Sequence, residues 1–225
     1  MQPIEALIFD LDGTLVDSKD DVAAAVNYAL RMLGRLPLPH SQLHTYIGNG
    51  SRALLASALV GERLREDPEG DLARQVAEAM PHYMDYYQEH PIDRTRLFPG
   101  AAEALTEFDR RGKRMAVATN KDSGLTRQIL TELGILERFR LILGPGDVAR
   151  RKPHRESVDR ILQELGVSAD RVAMVGDSEV DMATGRNAGI PVYGVSYGHG
   201  GRAALQEKGA AAVVDDLREL LDIIP

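Results

Sequence analysis

Cysteine and tryptophan are absent from this 225-residue chain. Disulfides and thiolate metal sites are therefore excluded, and any metal must be held by oxygen or nitrogen ligands. The lack of cysteine fits a reducing or an oxidising compartment equally. Aromatic residues are only 5% of the chain, too few to announce an anchored protein partner, and monomer and homodimer both stay open. No uninterrupted apolar run reaches membrane-spanning length, so no membrane partner is expected. The opening Met1-Gln2-Pro3-Ile4-Glu5 lacks a basic region, and the apolar run after it is broken at Asp10 and Asp12. No secretory leader is expected, and a cytoplasmic location follows. Basic residues are outnumbered, 27 against 34 acidic, for a net charge of −7. That balance disfavours nucleic acid as a partner. A small anionic substrate would need local positive charge, for which a metal ion is the obvious source.

Against these absences stand short apolar runs that end in Gly, Asp or Thr: Ala6-Leu7-Ile8-Phe9, Met115-Ala116-Val117-Ala118, Leu141-Ile142-Leu143, Val172-Ala173-Met174-Val175 and Val192-Tyr193-Gly194-Val195. They read as fully buried strands. Helical patterns lie between the later ones, such as Leu125, Ile129, Leu130 and Leu133 before Gly134, and Val158, Ile161, Leu162 and Leu165 before Gly166. Strands alternating with helices of this length predict a doubly wound, mainly parallel α/β sheet.

The first strand breaks the rhythm, because about 80 residues separate it from the next, with no convincing strand among them. Three apolar stripes fill the gap: Val22, Val26, Leu30 and Leu33; Leu54, Leu55, Ala58 and Leu59; and Leu72, Val76, Met80, Tyr83 and Tyr87, with Pro81 a kink point. The expected organisation is an α/β core over 1–15 and 96–225, with a helical cap over 16–95. Linkers are expected near Val16-Asp17-Ser18 and Glu89-His90-Pro91.

Four polar clusters fall at the carboxyl ends of expected strands, where open α/β sheets bind ligands. In Asp10-Leu11-Asp12-Gly13-Thr14, residues two apart in extended chain face the same way, so Asp10 and Asp12 enter one site, and Gly13 permits a sharp turn. Thr119, Asn120 and Lys121 offer a hydroxyl, an amide and backbone N–H groups for phosphate oxygens, though Thr or Asn before a helix is more often an N-cap. Lys152-Pro153 offers an ammonium, ordinarily a solvated surface group. Asp177 and Asp181 put two carboxylates on one helical face, and an all-oxygen donor set suits Mg²⁺, against a bland reading of Asp177 as a helix cap.

Taken in order, Asp-x-Asp-Gly-Thr, a strand-terminal Thr, Lys-Pro and Gly-Asp-x-x-x-Asp resemble the four signature motifs of the haloacid-dehalogenase superfamily, and the helical insertion resembles its small cap. The stretch from Asp17 to Leu30, Tyr46-Ile47-Gly48-Asn49-Gly50, Leu97-Phe98-Pro99 and Thr119-Asn120-Lys121 are similar to bacterial phosphoglycolate phosphatases. The resemblance implies an Mg²⁺-dependent phosphomonoester hydrolase acting on a small phosphorylated metabolite. Asp10 is then the nucleophile that forms an aspartyl-phosphate, and Asp12 the general acid and base. Asp10, Asp12 (through its backbone carbonyl), Asp177 and Asp181 hold the metal, while Thr119, Asn120, Lys152 and Gly13 meet the phosphoryl group. In the cap, Gly48, Asn49, Gly50 and Arg52 are the candidate readers of the substrate's carboxylate, weighed evenly against a plain helix start.

Two departures from the family pattern stand out. His154-Arg155 follows Lys152-Pro153 where relatives often carry a second proline, and Gly144-Pro145-Gly146-Asp147 has one acid fewer than many relatives. Tyr197-Gly198-His199-Gly200-Gly201 reads as a turn into the last helix, with His199 not catalytic. Pyrophosphatase, sugar-phosphate phosphatase and phosphomutase activities of the same superfamily remain alternatives. A phosphoacceptor receiver domain is disfavoured by topology, because it lacks a large insertion after its first strand.

Overall fold

The computed structural model describes residues 3–224; Met1, Gln2 and Pro225 lie outside it, and with them part of the opening stretch read as free of a leader. In chain order the elements are β1 (Ala6–Phe9), β2 (Val16–Asp17), α1 (Lys19–Met32), α2 (His40–His44), α3 (Ser51–Val60), α4 (Gly70–Glu89) and β3 (Arg96–Leu97). These are followed by α5 (Ala101–Arg110), β4 (Arg114–Ala118), α6 (Ser123–Glu132), β5 (Leu141–Leu143), α7 (Glu156–Leu165), β6 (Val172–Gly176), α8 (Glu179–Ala188), β7 (Val192–Val195), α9 (Arg202–Glu207), β8 (Ala212–Val214) and α10 (Leu220–Ile223). Two compact units result, one of residues 1–17 and 97–225 and the other Ser18–Arg96.

The first unit is a six-stranded sheet in the order β5-β4-β1-β6-β7-β8, every neighbouring pair parallel. A parallel sheet covered on both faces needs apolar residues at every strand position, and β1, β6 and all but the first residue of β4 are buried. Ala6, Ile8, Ala116, Ala118, Val172 and Met174 share one core cluster with Val158 and Ile161 of α7 and Met182 of α8. Phe9, one residue out of phase with Ile8, turns to the other face, its ring 6.5 Å from Phe108 and 6.2 Å from Phe139. Helix α6 opens where the Asp122 side chain accepts from Leu125 N–H at 2.9 Å. Helix α8 opens with a capping box between Ser178 and Asp181.

Strand β8 was not expected from the sequence. It is three residues long and only Val214 is buried, so it has neither the length nor the apolar density of the inner strands.

In the second unit, α1, α3 and α4 present the expected stripes: Val22, Val26, Leu54, Leu55, Val76, Tyr83 and Tyr87 are buried. Leu33 is only half-buried. Helix α4 runs unbroken through Pro81 from Gly70 to Glu89. The chain does not leave this unit at Glu89-His90-Pro91. Buried Asp21 on α1 accepts from Arg94 N–H at 2.9 Å and from Thr95 N–H and Oγ1 at 2.7 Å each, which holds the following residues against α1. Asn27 similarly ties down the segment before α2, exchanging two hydrogen bonds with the backbone of Leu38.

Candidate active site

Strand β1 lies between β4 and β6, with Phe9 level with Val117 on one side and Val175 on the other. The chain builds β4 and β5 on one side of β1 and then β6, β7 and β8 on the other. This reversal opens a crevice at the carboxyl ends of the strands. Asp10, Thr119 and Asp177 each follow one of the three central strands and so meet there.

Lys152 occupies the centre. Its Nζ lies 2.8 Å from Asp10 Oδ1 and 2.8 Å from Asp181 Oδ1, with the lysine side chain 3% exposed. Asp10, Asp177 and Asp181 are all buried and bring carboxylate oxygens within 4.8 Å of one another. Three buried carboxylates gather where the Lys152 ammonium contacts two of them, an imbalance that shows in the acidity of Asp10 and Asp177. Burial pushes the Asp10 carboxyl up to about 8, opposed by Lys152 and reinforced by Asp181 and Asp177. Burial, with Asp181 beside it, pushes Asp177 up to about 7. Burial alone would lower Lys152, but Asp10 and Asp181 outweigh it and hold the ammonium charged.

Each carboxylate is aimed by the backbone around it. Asp177 Oδ1 accepts from Thr14 Oγ1 at 3.2 Å, and its Oδ2 accepts from His199 N–H at 2.6 Å. Gly13 has φ +88°, and a Cβ there would sit 2.4 Å from Asp177 Oδ2, so only glycine lets this turn approach the carboxylate. Asp181 Oδ2 accepts from Ser178 Oγ at 2.6 Å and from the N–H groups of Ser178 and Asp177 at 3.1 and 3.2 Å, while Oδ1 faces Lys152. Ser178 is the helix cap, which removes the bland reading of Asp177. Asp122 caps α6, so neither Thr119 nor Asn120 serves as an N-cap. Asn120 Nδ2 instead donates to the Lys152 carbonyl at 3.1 Å, and the Lys152–Pro153 peptide is cis.

Asp12 lies outside the three-carboxylate group. Its two oxygens accept from Lys121 Nζ at 2.9 and 3.1 Å, the lysine side chain 6% exposed. Lys121 was read only as part of a phosphate-holding loop, and its ion pair with Asp12 had no signature in the local sequence. The loop at 197–201, which by sequence is only a turn into the last helix, also reaches the site. The His199 N–H reaches Asp177, and Tyr197 Oη donates to the Thr14 carbonyl at 2.8 Å while its ring packs 4.4 Å from Phe98. The density of glycine at a strand end was the available signal. Arg155, half-exposed just before α7, pairs with Asp159 at 2.7 Å, and Gly144 N–H donates to Asp147 at 2.9 Å within its own turn.

The remaining candidates, Gly48, Asn49, Gly50 and Arg52, lie in the second unit. Gly48 and Gly50 have φ +120° and +85° just before α3, whose first turn has no side-chain cap. Arg52 is half-exposed, with Nε 3.9 Å from Asp67.

Among known proteins, the family model for haloacid dehalogenase-like hydrolase matches residues 7–195. A phosphoglycolate phosphatase of Rhodospirillum rubrum is 37% identical over 97% of this chain and 90% of its own length. One from Colwellia psychrerythraea is 34% identical over 98% and 97%. The crystal structure of a predicted phosphoglycolate phosphatase from Haemophilus somnus superposes with a TM-score of 0.87 at 28% identity, covering 100% of both chains.

Proposed function

The chain belongs to the haloacid dehalogenase-like hydrolases, and from that premise we propose that it is an Mg²⁺-dependent phosphomonoester hydrolase whose substrate is 2-phosphoglycolate. The observation that carries the reading is the buried cluster of Asp10, Asp177 and Asp181 around the single ammonium of Lys152. An all-oxygen donor set with an excess of buried negative charge fits a hard divalent cation. The carboxylates of Asp10 and Asp177 and the backbone carbonyl of Asp12 would hold it. Asp181, its Oδ2 engaged by three donors, supports the site from behind Lys152 and Asp177. When bound, the cation supplies positive charge that offsets the repulsion between a carboxylate and a phosphate dianion, about 4 kcal/mol per pair of unit charges at about 4 Å and an effective dielectric of about 20.

Asp10 attacks phosphorus, and the bond to the leaving oxygen breaks as Asp12 delivers a proton to that oxygen. Asp12 then takes a proton from the water that attacks the aspartyl-phosphate, which releases phosphate and restores Asp10. Asp12 is held by Lys121 before this happens, so protonation and transfer require the carboxylate to exchange Lys121 for the leaving group. Lys152, Thr119 and Asn120 receive the phosphoryl oxygens, with Gly13, whose N–H donates to the Val16 carbonyl at 2.9 Å, shaping the turn beside them. Asp12→Asn is expected to lose about 10²- to 10⁴-fold in rate, as for a general acid.

The substrate reading rests on the names of the relatives and on the glycine-flanked start of α3, where N–H groups and the loosely paired Arg52 suit a carboxylate. The test is kcat/KM for 2-phosphoglycolate beside pyrophosphate and a hexose phosphate, each with Mg²⁺. A value above roughly 10⁴ M⁻¹s⁻¹ for phosphoglycolate, far ahead of the others, is expected. Pyrophosphate or the hexose phosphate in the lead would overturn the substrate. An unchanged KM in Arg52→Ala and Asn49→Ala would remove the cap residues from its recognition.

A further inference from the structure

The second unit carries another convergence of ligand atoms, chemically distinct from the carboxylate cluster. His40 and His44 are the first and last residues of α2, four apart and so on one helical face. Both rings point at a single atom, Oδ1 of Asp20 near the start of α1: His40 Nδ1 is 3.4 Å away and His44 Nε2 is 3.2 Å away. The ligand atoms of all three lie within 4.8 Å of one another.

These distances are slack for hydrogen bonds between a carboxylate and an imidazole, which when charge-assisted close to about 2.7–2.9 Å. They do match the edges of a coordination tetrahedron. With ligand bonds of about 2.0–2.1 Å, neighbouring ligand atoms on zinc stand about 3.3 Å apart. Two imidazole nitrogens and one carboxylate oxygen form a donor set that favours a borderline transition metal over Mg²⁺. The three side chains are 25% to 39% exposed, so an ion and a completing water have access. A cavity of about 290 Å³ is lined by Asp20 and His40 together with Asp21, Asn27, His90 and Asp93, which leaves room and polar partners for that water.

We infer that Asp20, His40 and His44 form a binding site for a single Zn²⁺-like divalent ion within the helical unit. The bound ion would pin α2 to the first turn of α1. The segment between them, residues 33–39, has no helix or strand of its own, and its fixed points include the Asn27–Leu38 hydrogen bonds. Metal ligation there would therefore restrain a span that secondary structure does not.

The experiment is calorimetric titration of the chelator-treated full chain with Zn²⁺ in excess Mg²⁺, which masks the oxygen-only cluster at Asp10, repeated with Co²⁺ for its visible spectrum. One equivalent of Zn²⁺ is expected to bind, with tetrahedral Co²⁺ absorption. His40→Ala and His44→Ala should each weaken Zn²⁺ binding by about 100-fold or more, since direct ligands matter at least as much as their hydrogen-bonded supports. Both variants should keep the far-ultraviolet circular dichroism of the parent, and the more conservative His44→Gln serves if one does not. Retention of Zn²⁺ in Asp10→Asn at parent affinity supports the separate site. No Zn²⁺ uptake in excess Mg²⁺, or uptake unchanged by the His40 and His44 substitutions, overturns it.

Discussion

Replacing Lys152 with methionine keeps much of the side chain's length and removes its charge. The ammonium makes two 2.8 Å ion pairs, with Asp10 and Asp181, in a setting where the lysine is 3% exposed. At an effective dielectric of about 20 each pair amounts to about 6 kcal/mol of attraction. Dehydration of the buried groups cancels most of the combined figure, and removing one partner of a buried pair costs about 3–5 kcal/mol net. Proton uptake limits that loss. Asp10 is pushed up to about 8 with Lys152 opposing the rise; without the ammonium it moves higher still, so the penalty of Lys152→Met is greatest at high pH, where the parent's Asp10 is ionised and paired and the variant's must hold a proton or stand unpaired. For a chain of this length about 1 kcal/mol moves the melting temperature by about 2–4 °C. Thermal melts followed by circular dichroism in chelator should therefore show Lys152→Met lower by about 6–20 °C at pH 9, with a smaller loss at pH 6. A fall under about 2 °C at pH 9, or a gain, would refute the picture of a lysine balancing buried carboxylates. An equal loss at both pH values would refute the protonation argument.

The same raised carboxyls predict how metal-free stability changes with pH. Asp10 and Asp177 have an ordinary value of 3.8 and native values of about 8 and about 7. Between these limits the native chain holds protons that the unfolded chain has released, so stability is full below pH 4 and is lost as pH rises through 7 and 8. A cation replaces those protons, and the Mg²⁺-induced rise in melting temperature should grow from pH 6 to pH 9; a constant or shrinking increment contradicts this. Gly13→Ala forces a side chain into φ +88° and toward Asp177 Oδ2. It should cost about 1–2 kcal/mol in stability and raise the Mg²⁺ concentration for half-maximal turnover at least about tenfold, which metal titration of the activity would detect.

The inner strands were legible because each is a run of apolar residues with almost no polar interruption, the only pattern a strand buried on both faces can carry. Strand β8 and the two-residue β2 and β3 are too short to establish any period. Asp10, Asp12 and Asp177 could be read from their positions at strand ends next to Gly13 and Gly176. Their partners could not, because Lys121 meets Asp12, and His199 meets Asp177, through the adjacency of strands far apart in sequence. The helical unit closes at Arg96, one residue past the expected bound, but the linker expected near Glu89-His90-Pro91 lies inside it, since nothing local marks Asp21 as the acceptor that holds Arg94 and Thr95. The cluster of Asp20, His40 and His44 was missed for the same reason: the two histidines show a helical spacing, but the carboxylate they meet lies twenty residues before the first of them.

The central claim is that Asp10 is the nucleophile, and the most direct measurement is steady-state turnover of an activated aryl phosphate with Mg²⁺ by the parent chain and by Asp10→Asn. The substitution is close to isosteric, so the fold should persist while turnover disappears, and a rapidly quenched parent enzyme should carry one phosphoryl group on the peptide containing Asp10. Turnover by Asp10→Asn at the parental rate, or a phosphoryl group trapped on another residue, would contradict the account.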